Sequence, residues 1–170
     1  MLMGDRINLV SPTLDDWINV KGIWEDEETM ADVGGAAPLP LKRYRAWWSD
    51  IFERRKAENA YFLILDKDNA ECFGESGFHG FNRETGRAVL NVKVKSGHRN
   101  RGIGSEALAL ILRHFFEDWG GGALESVVRM TNAAGRRRLL EAGFTDYLVL
   151  DEWAMLEMRE AGWKRSRRPE

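Results

Sequence analysis

Residues 99–116 read RNRGIGSEALALILRHFF, and the interpretation of the whole chain depends on them. Two arginines flank a Gly-x-Gly, and an apolar run with helical spacing begins directly after it. The N-terminus of a helix presents unpaired N–H groups and a positive dipole end, which bind anions. Glycine lets the backbone approach a ligand closely, and arginine adds fork-shaped donors that suit phosphate oxygens. The stretch therefore predicts a phosphate-binding loop at the start of a helix.

Two well-known nucleotide motifs fit this loop poorly. A Walker A loop requires Lys and then Ser or Thr after its last glycine, but Ile103 and Gly104 follow Gly102 here. The dinucleotide pattern G-x-G-x-x-G/A does match at Gly102, Gly104 and Ala107. That pattern normally opens a series of βαβ units, whereas only one such unit follows here. A nicotinamide-dinucleotide binder stays open as an alternative.

Composition narrows the class of protein. The chain has 170 residues, the length of one domain, and its formal net charge of −2 gives no indication of a nucleic-acid partner. A single cysteine, Cys72, precludes an intramolecular disulfide, as is typical of a reducing compartment. No apolar run is long enough to span a membrane, and the first residues do not resemble a signal peptide. We expect a cytoplasmic protein with no nucleic-acid or membrane partner.

Hydrophobic periodicity predicts the element order β, α, α, β, β, β, α, β, α, β. The predicted strands lie at residues 6–10, 60–65, 71–81, 87–95, 123–130 and 147–158. Short turns join the second, third and fourth of these, which predicts an antiparallel meander followed by one βαβ unit. Thr13 with Asp16 predicts a helix start, and Gly143 predicts a helix end. We expect one domain over residues 1–160 and disorder in the basic tail 161–170.

Residues 99–104, R-x-x-G-x-G, resemble the acetyl-coenzyme A pyrophosphate loop of the GNAT N-acetyltransferase superfamily. A second segment agrees, since Asn132 is followed by a short predicted helix that ends at Gly143-Phe144 with the spacing found in that superfamily. The resemblance extends over most of the chain and is greatest to the ribosomal-protein N-terminal, spermidine and aminoglycoside acetyltransferases. It implies an α+β fold, a mixed and mostly antiparallel central sheet flanked by helices.

The resemblance also implies a cofactor site. The pantetheine arm of acetyl-CoA would lie between strands 87–95 and 123–130, bonded to the backbone of Val92 and Val94. The residues implied for the pyrophosphate are Arg99, Asn100, Arg101, Gly102, Ile103, Gly104 and Ser105. Asn132 would contact the pantetheine, and Arg138 or its neighbour Arg137 would reach the 3′-phosphate, although a solvated helix face is the alternative for these two arginines. No metal is expected.

The catalytic residues are less well defined by the sequence. The resemblance implies attack of a primary amine on the acetyl thioester, the amine belonging to a peptide N-terminus, a polyamine or an aminoglycoside, and homodimers are common in this branch. Many members carry a Tyr that acts as the acid, and this chain has Leu139 at that position. Some members carry a Ser where this chain has Gly135, or a Glu base where this chain has Val89. Glu75 and His79 have the same strand parity and are the remaining candidate bases. A non-catalytic acetyl-CoA-binding module is the alternative function.

Overall fold

The computed structural model describes residues 1–166, which form one eight-stranded sheet with helices on both faces. The strands are β1 (Leu2–Met3), β2 (Ile7–Val10), β3 (Ala60–Asp66), β4 (Cys72–Asn82), β5 (Arg87–Val94), β6 (Ala123–Arg129), β7 (Thr145–Leu150) and β8 (Trp153–Arg159). The helices are α1 (Trp17–Trp24), α2 (Glu27–Met30), α3 (Leu41–Ser49), α4 (Ile103–Arg113), α5 (Ala133–Glu141) and α6 (Glu160–Ser166). The strand order is β1-β2-β3-β4-β5-β6-β8-β7.

Each face of the sheet carries its own apolar core. The main core forms under the amphipathic helix α4, where Leu108 and Ile111 are almost completely buried. A smaller core, which includes Tyr44 and Leu63, forms where α1 and α3 cover the other face. The predicted α+β class, with helices flanking a mixed and mostly antiparallel sheet, is confirmed.

Local sequence signals set two predicted ends, the start of a 3₁₀ turn over Leu14–Asp16 that leads into α1 and the end of α5. The Asp16 carboxylate accepts the N–H of Thr13 at 2.8 Å, and the Thr13 hydroxyl accepts the N–H of Asp15 at 3.2 Å. Gly143 follows α5 with a φ of +102°, a left-handed conformation that glycine adopts without strain. Phe144 then enters the core with 2% of its surface exposed.

One junction in the sheet is parallel, and it is short. β5 pairs with β6 at Arg87–Ala123, Ala88–Leu124 and Val89–Glu125. Beyond these pairs, β5 stays bonded to β4, while β6 stays bonded to β8. The two strands therefore diverge. We call the space between residues 90–94 of β5 and residues 126–128 of β6 the gap.

The predicted strand at 147–158 is wrong, because the chain forms a hairpin there. β7 and β8 pair antiparallel, and residues 151–152 form the turn between them. Asp151 has a φ of +48°, a left-handed conformation that a short polar side chain tolerates. Asp151 and Glu152 interrupt an apolar run, but charged residues can also lie on the solvent face of one continuous strand. The periodicity alone therefore did not reveal the turn.

The tail predicted to be disordered is helical over its first part. α6 continues to Ser166, and its Trp163 is 9% exposed. The Trp163 ring stacks on Phe116, with the ring centroids 5.7 Å apart. This docking supplies the apolar burial that the basic composition of the tail did not suggest. The remainder of the predicted tail, residues 167–170, lies outside the described residues.

We expect two glycine-to-alanine substitutions to have opposite effects on stability. A Cβ at Gly77 would overlap the carbonyl oxygen of Ala60 in the neighbouring strand, so Gly77→Ala should lower the free energy of unfolding by roughly 1–3 kcal/mol or more. A Cβ at Gly162 in α6 meets no atom within 4 Å, so Gly162→Ala should raise it by about 0.5–1 kcal/mol. Urea denaturation measures both. Destabilisation by Gly162→Ala would contradict the helical tail.

Candidate active site

The gap is bordered on one side by β5 backbone that has no strand partner in residues 1–166. The N–H of Lys95 donates to the Phe73 carbonyl of β4 at 2.8 Å. Backbone groups of alternate residues point to opposite edges of a strand, so those of Val92 and Val94 point away from β4 and into the gap. The two residues predicted to contact the cofactor through their backbone are thus placed to do so.

The loop between β5 and α4 lies at the open end of the gap. Asn100 and Gly102 both have left-handed backbone, with φ values of +60° and +77°. α4 begins directly afterwards at Ile103, and Gly102 provides no side-chain cap for its first N–H groups. The N–H of Ser105 is satisfied by the Gly102 carbonyl at 3.2 Å. The first N–H groups of α4 and the positive end of its dipole therefore remain available to an anion.

Arg6, the residue before β2, and Ile7, the first residue of β2, make hydrogen bonds to this loop and to Glu106 of α4. We call these contacts the brace. Arg6 donates from Nη1 to the Arg101 carbonyl at 2.8 Å and from Nε to the Glu106 carboxylate at 3.0 Å. Burial would raise the pKa of the Glu106 carboxyl, but hydrogen bonds from Arg6 and Ile7 hold that pKa below its ordinary value. Glu106 is therefore ionised and engaged within the protein. Sequence reasoning missed this brace, because its two ends are 100 residues apart.

The structure gives three of the predicted arginines different surroundings. The Arg138 guanidinium lies over the start of α4, where a Cβ on Gly104 would be 2.8 Å from its Nη1. Burial and repulsion from Arg99 lower the pKa of Arg138, and no ion pair engages it within residues 1–166. Arg99 donates from Nε to the Val94 carbonyl at 3.2 Å, whereas the Arg101 side chain is exposed. Arg99 and Arg138 thus approach each other beside the gap, a charge arrangement that favours an anion.

Asn132 lines the gap from the start of α5. Its Oδ1 accepts the N–H of Gly135 at 2.8 Å, which caps the helix. A Cβ on Gly135 would lie 2.7 Å from the Asn132 Nδ2, so a serine there would displace the cap. Leu139, one turn further along α5, is 7% exposed and also lines the gap. An aliphatic side chain therefore occupies the position of the expected Tyr acid.

Glu75 lies at the centre of a buried polar network. Only 1% of the residue is exposed, and its carboxylate accepts hydrogen bonds from Trp24 at 2.9 Å, from Asn91 at 3.0 Å, and from Tyr61 and Lys93. Burial would raise the pKa of Glu75, but the Lys93 charge and these hydrogen bonds outweigh burial and lower it. A general base must reach the proton that it takes, and both oxygens of this carboxylate are already engaged.

His79 lines a second, smaller cavity on the α3 face of the sheet. The other lining residues are Ile51, Asn59, Ala60, Tyr61, Gly77, Phe78 and Asn91. Asn91 also lines the gap, so the two cavities meet at this residue. His79 is exposed, but partial desolvation and repulsion from Lys93 and Arg55 lower the pKa of its imidazole below the ordinary value, which favours the neutral form at pH 7. The structure thus places His79, but not Glu75, where a base could meet a substrate.

Two other site classes find no support in residues 1–166. No helix there combines the length and the apolar character that crossing a membrane demands. No group of three or more His, Cys, Asp or Glu side chains in the same residues could hold a metal ion.

The comparisons with known proteins agree on one family. A family model described as the acetyltransferase (GNAT) domain matches residues 6–145. Among curated proteins, none matches this chain. A spermidine N-acetyltransferase from Vibrio cholerae, solved with CoA and spermine, is 10% identical with a TM-score of 0.83, covering 94% of this chain and 98% of that one. A nucleotide-linked sugar GNAT is 15% identical with a TM-score of 0.83, and the match covers 98% of this chain and 93% of that one. A GNAT-family acetyltransferase from Bacillus anthracis is 15% identical with a TM-score of 0.76, and the match covers 94% of this chain and 98% of that one.

We expect Glu75→Gln to lower the free energy of unfolding by about 3–5 kcal/mol, because it leaves the mostly buried Lys93 ammonium without its counter-charge. Adding Lys93→Met removes that unpaired charge, so the double variant should cost clearly less than the sum of the two single variants. Urea denaturation gives the free energy of unfolding of the wild type, the two single variants and the double variant, which together form a double-mutant cycle. Additive costs would contradict a coupled network.

Proposed function

We propose that this chain, which belongs to the GNAT acetyltransferase family, transfers the acetyl group of acetyl-CoA to a primary amine. The observation that carries the proposal is the gap, which joins a strand edge to a helix N-terminus and to the half-buried Arg138 guanidinium. An extended chain of amides that ends in a diphosphate has groups complementary to each of these. Titration calorimetry with acetyl-CoA, with NAD as competitor, tests the proposal. Absence of binding at millimolar acetyl-CoA would overturn it.

Each part of the cofactor site has a proposed task. Acetyl-CoA, when bound, supplies an activated thioester. The backbone groups of Val92 and the N–H of Val94 are proposed to pair with the pantetheine amides, since Arg99 already engages the Val94 carbonyl. The N–H groups at the start of α4 hold the pyrophosphate, with Asn132 beside the pantetheine. Arg138 lies over Gly104, and this position favours the pyrophosphate over the 3′-phosphate as its partner.

Arg138→Met should weaken acetyl-CoA binding by about 1.5–3 kcal/mol, roughly 10- to 150-fold in Kd, because a charge-assisted contact to phosphate is lost. The matched control is Arg137→Met, one residue earlier in α5, whose side chain is 75% exposed and should leave the Kd nearly unchanged. Calorimetry at low and high salt measures the Kd of both variants and of the wild type. The difference in Kd between Arg138→Met and the wild type should shrink at high salt. Equal effects of the two variants would contradict the proposed contact.

The acceptor amine is proposed to enter through the second cavity. Asn91 borders this cavity and the gap, so an amine held there lies next to the cofactor site. An alkylammonium has a pKa of about 10 and must lose a proton before it attacks. The neutral imidazole of His79 can take that proton. Glu75 is proposed to act only by holding Asn91 and Lys93 in place.

The leaving thiol needs little help from the protein. Leu139 and Gly135 hold the positions where the resemblance expects acid side chains. An ordinary thiol has a pKa of about 8.5, so its anion is a moderately good leaving group without a protein acid. A thiol-release assay over a panel of peptide N-termini, polyamines and aminoglycosides separates transfer from the alternative of binding alone. The neighbour solved with spermine supports an amine acceptor, and a homodimer stays a prediction.

We expect kcat/KM to fall as the pH decreases through the pKa of His79, which lies below its ordinary value, because protonation removes the base. His79→Gln should lower kcat/KM by about 10²–10⁴-fold and remove this inflection. His114 packs against Phe62 and Phe78 on the other face of the sheet, so His114→Gln should keep the inflection. An unchanged pH profile in His79→Gln would exclude this base.

A further inference from the structure

A short segment lies across the wide end of the gap. Thr29, Asp32 and Val33 line the gap, and the 3₁₀ turn Ala31–Val33 packs against β6. We call residues 26–33 the lip. The lip contacts β6 at one end and the segment after β5 at the other, so it connects the two strands that border the gap.

Arg99 attaches the lip to the cofactor loop. Its Nη2 donates to the carbonyl oxygens of Glu28 at 3.1 Å and Thr29 at 3.2 Å, while its Nε donates to the Val94 carbonyl at 3.2 Å. The N–H of Ser96 donates to the Thr29 hydroxyl at 3.0 Å. Thr29 itself is 3% exposed, so the two bonds that it accepts are partly shielded from competing water, whereas the bond to Glu28 is exposed.

This geometry separates the tasks of the two arginines beside the gap. The guanidinium edge that carries Nε and Nη2 is one of those suited to bidentate phosphate contact, and in Arg99 three carbonyl oxygens engage it. Arg138 has no ion pair within the described part of the chain and lies over the helix N-terminus. Arg138 is therefore suited to bind phosphate, and Arg99 is suited to connect backbone segments.

We infer that Arg99 is a positioning residue that couples the lip to the bound cofactor, an inference that rests on the proposed function. An anion beside Arg138 relieves its repulsion with Arg99 and fixes the loop that carries Arg99. Arg99 then holds Glu28 and Thr29, and through them it orders Asp32 and Val33 at the border of the gap. Cofactor binding thereby orders the lip along the border of the gap.

Hydrogen–deuterium exchange of residues 26–35, with and without acetyl-CoA, tests the coupling. The N–H groups of Thr29, Met30 and Gly35 are hydrogen-bonded there and report on the lip. Acetyl-CoA should slow their exchange in the wild type. Arg99→Met should speed exchange about tenfold without ligand, and acetyl-CoA should then slow exchange in the loop but not in the lip. Arg99→Lys should restore part of the response.

Arg138→Met is the matched control for binding. At saturating acetyl-CoA it should keep the response of the lip, although its Kd is weaker. A full response of the lip in Arg99→Met, or none in Arg138→Met at saturation, would overturn the coupling. The coupling is also wrong if Arg99→Met weakens binding as much as Arg138→Met while exchange in the lip is unchanged, because Arg99 is then a phosphate ligand.

A wild-type protein that does not bind acetyl-CoA would overturn the proposed function and, with it, the coupling to a cofactor. That result differs from failure of the inference alone, in which the wild type binds acetyl-CoA and the lip does not respond. Faster lip exchange in ligand-free Arg99→Met would still support the attachment of the lip by Arg99.

Discussion

The parallel pairing of β5 with β6 ends after three residue pairs, and the rest of the site depends on this limit. A longer ladder would use the backbone of Val92 and Val94 within the sheet and would close the gap. The connection between these two parallel strands must cross the sheet, and α4 is that crossover. The crossover begins at the end of β5, so the helix N-terminus lies where the strands have separated. The short parallel pairing and the crossover thus place a strand edge beside a helix N-terminus that has no side-chain cap.

Buried charge gives the site its rigidity on the other face of the sheet. Ionised carboxylates are costly to bury unless every oxygen is hydrogen-bonded and a counter-charge is near. Glu75 meets both conditions with donors from three elements, Trp24 of α1, Tyr61 of β3, and Asn91 and Lys93 of β5. The network therefore fixes Asn91 at the meeting point of the two cavities. A carboxylate held in this way positions its neighbours and is unsuited to accept a further proton.

Sequence patterns predicted the features that local chemistry determines. The cap at Thr13, the helix end at Gly143 and the glycine loop were all found, because short-range spacing and backbone preference specify them. The turn at Asp151 and the docked helix around Trp163 were missed, because an edge hairpin and a tail helix depend on contacts with the rest of the fold. The surroundings of the site arginines and of the buried carboxylate also required the structure, since their partners lie on other elements.

The brace between Arg6 and Glu106 has a consequence for the order of folding. Its ends are 100 residues apart, and contacts of such long range form only after much loop-closure entropy has been lost. The loop that contains Asn100 and Gly102 can adopt its left-handed backbone locally. Its contact with Arg6 forms only when β2 has joined the sheet and α4 has docked. The loop therefore gains its support late in folding, after the two distant ends of the brace have met.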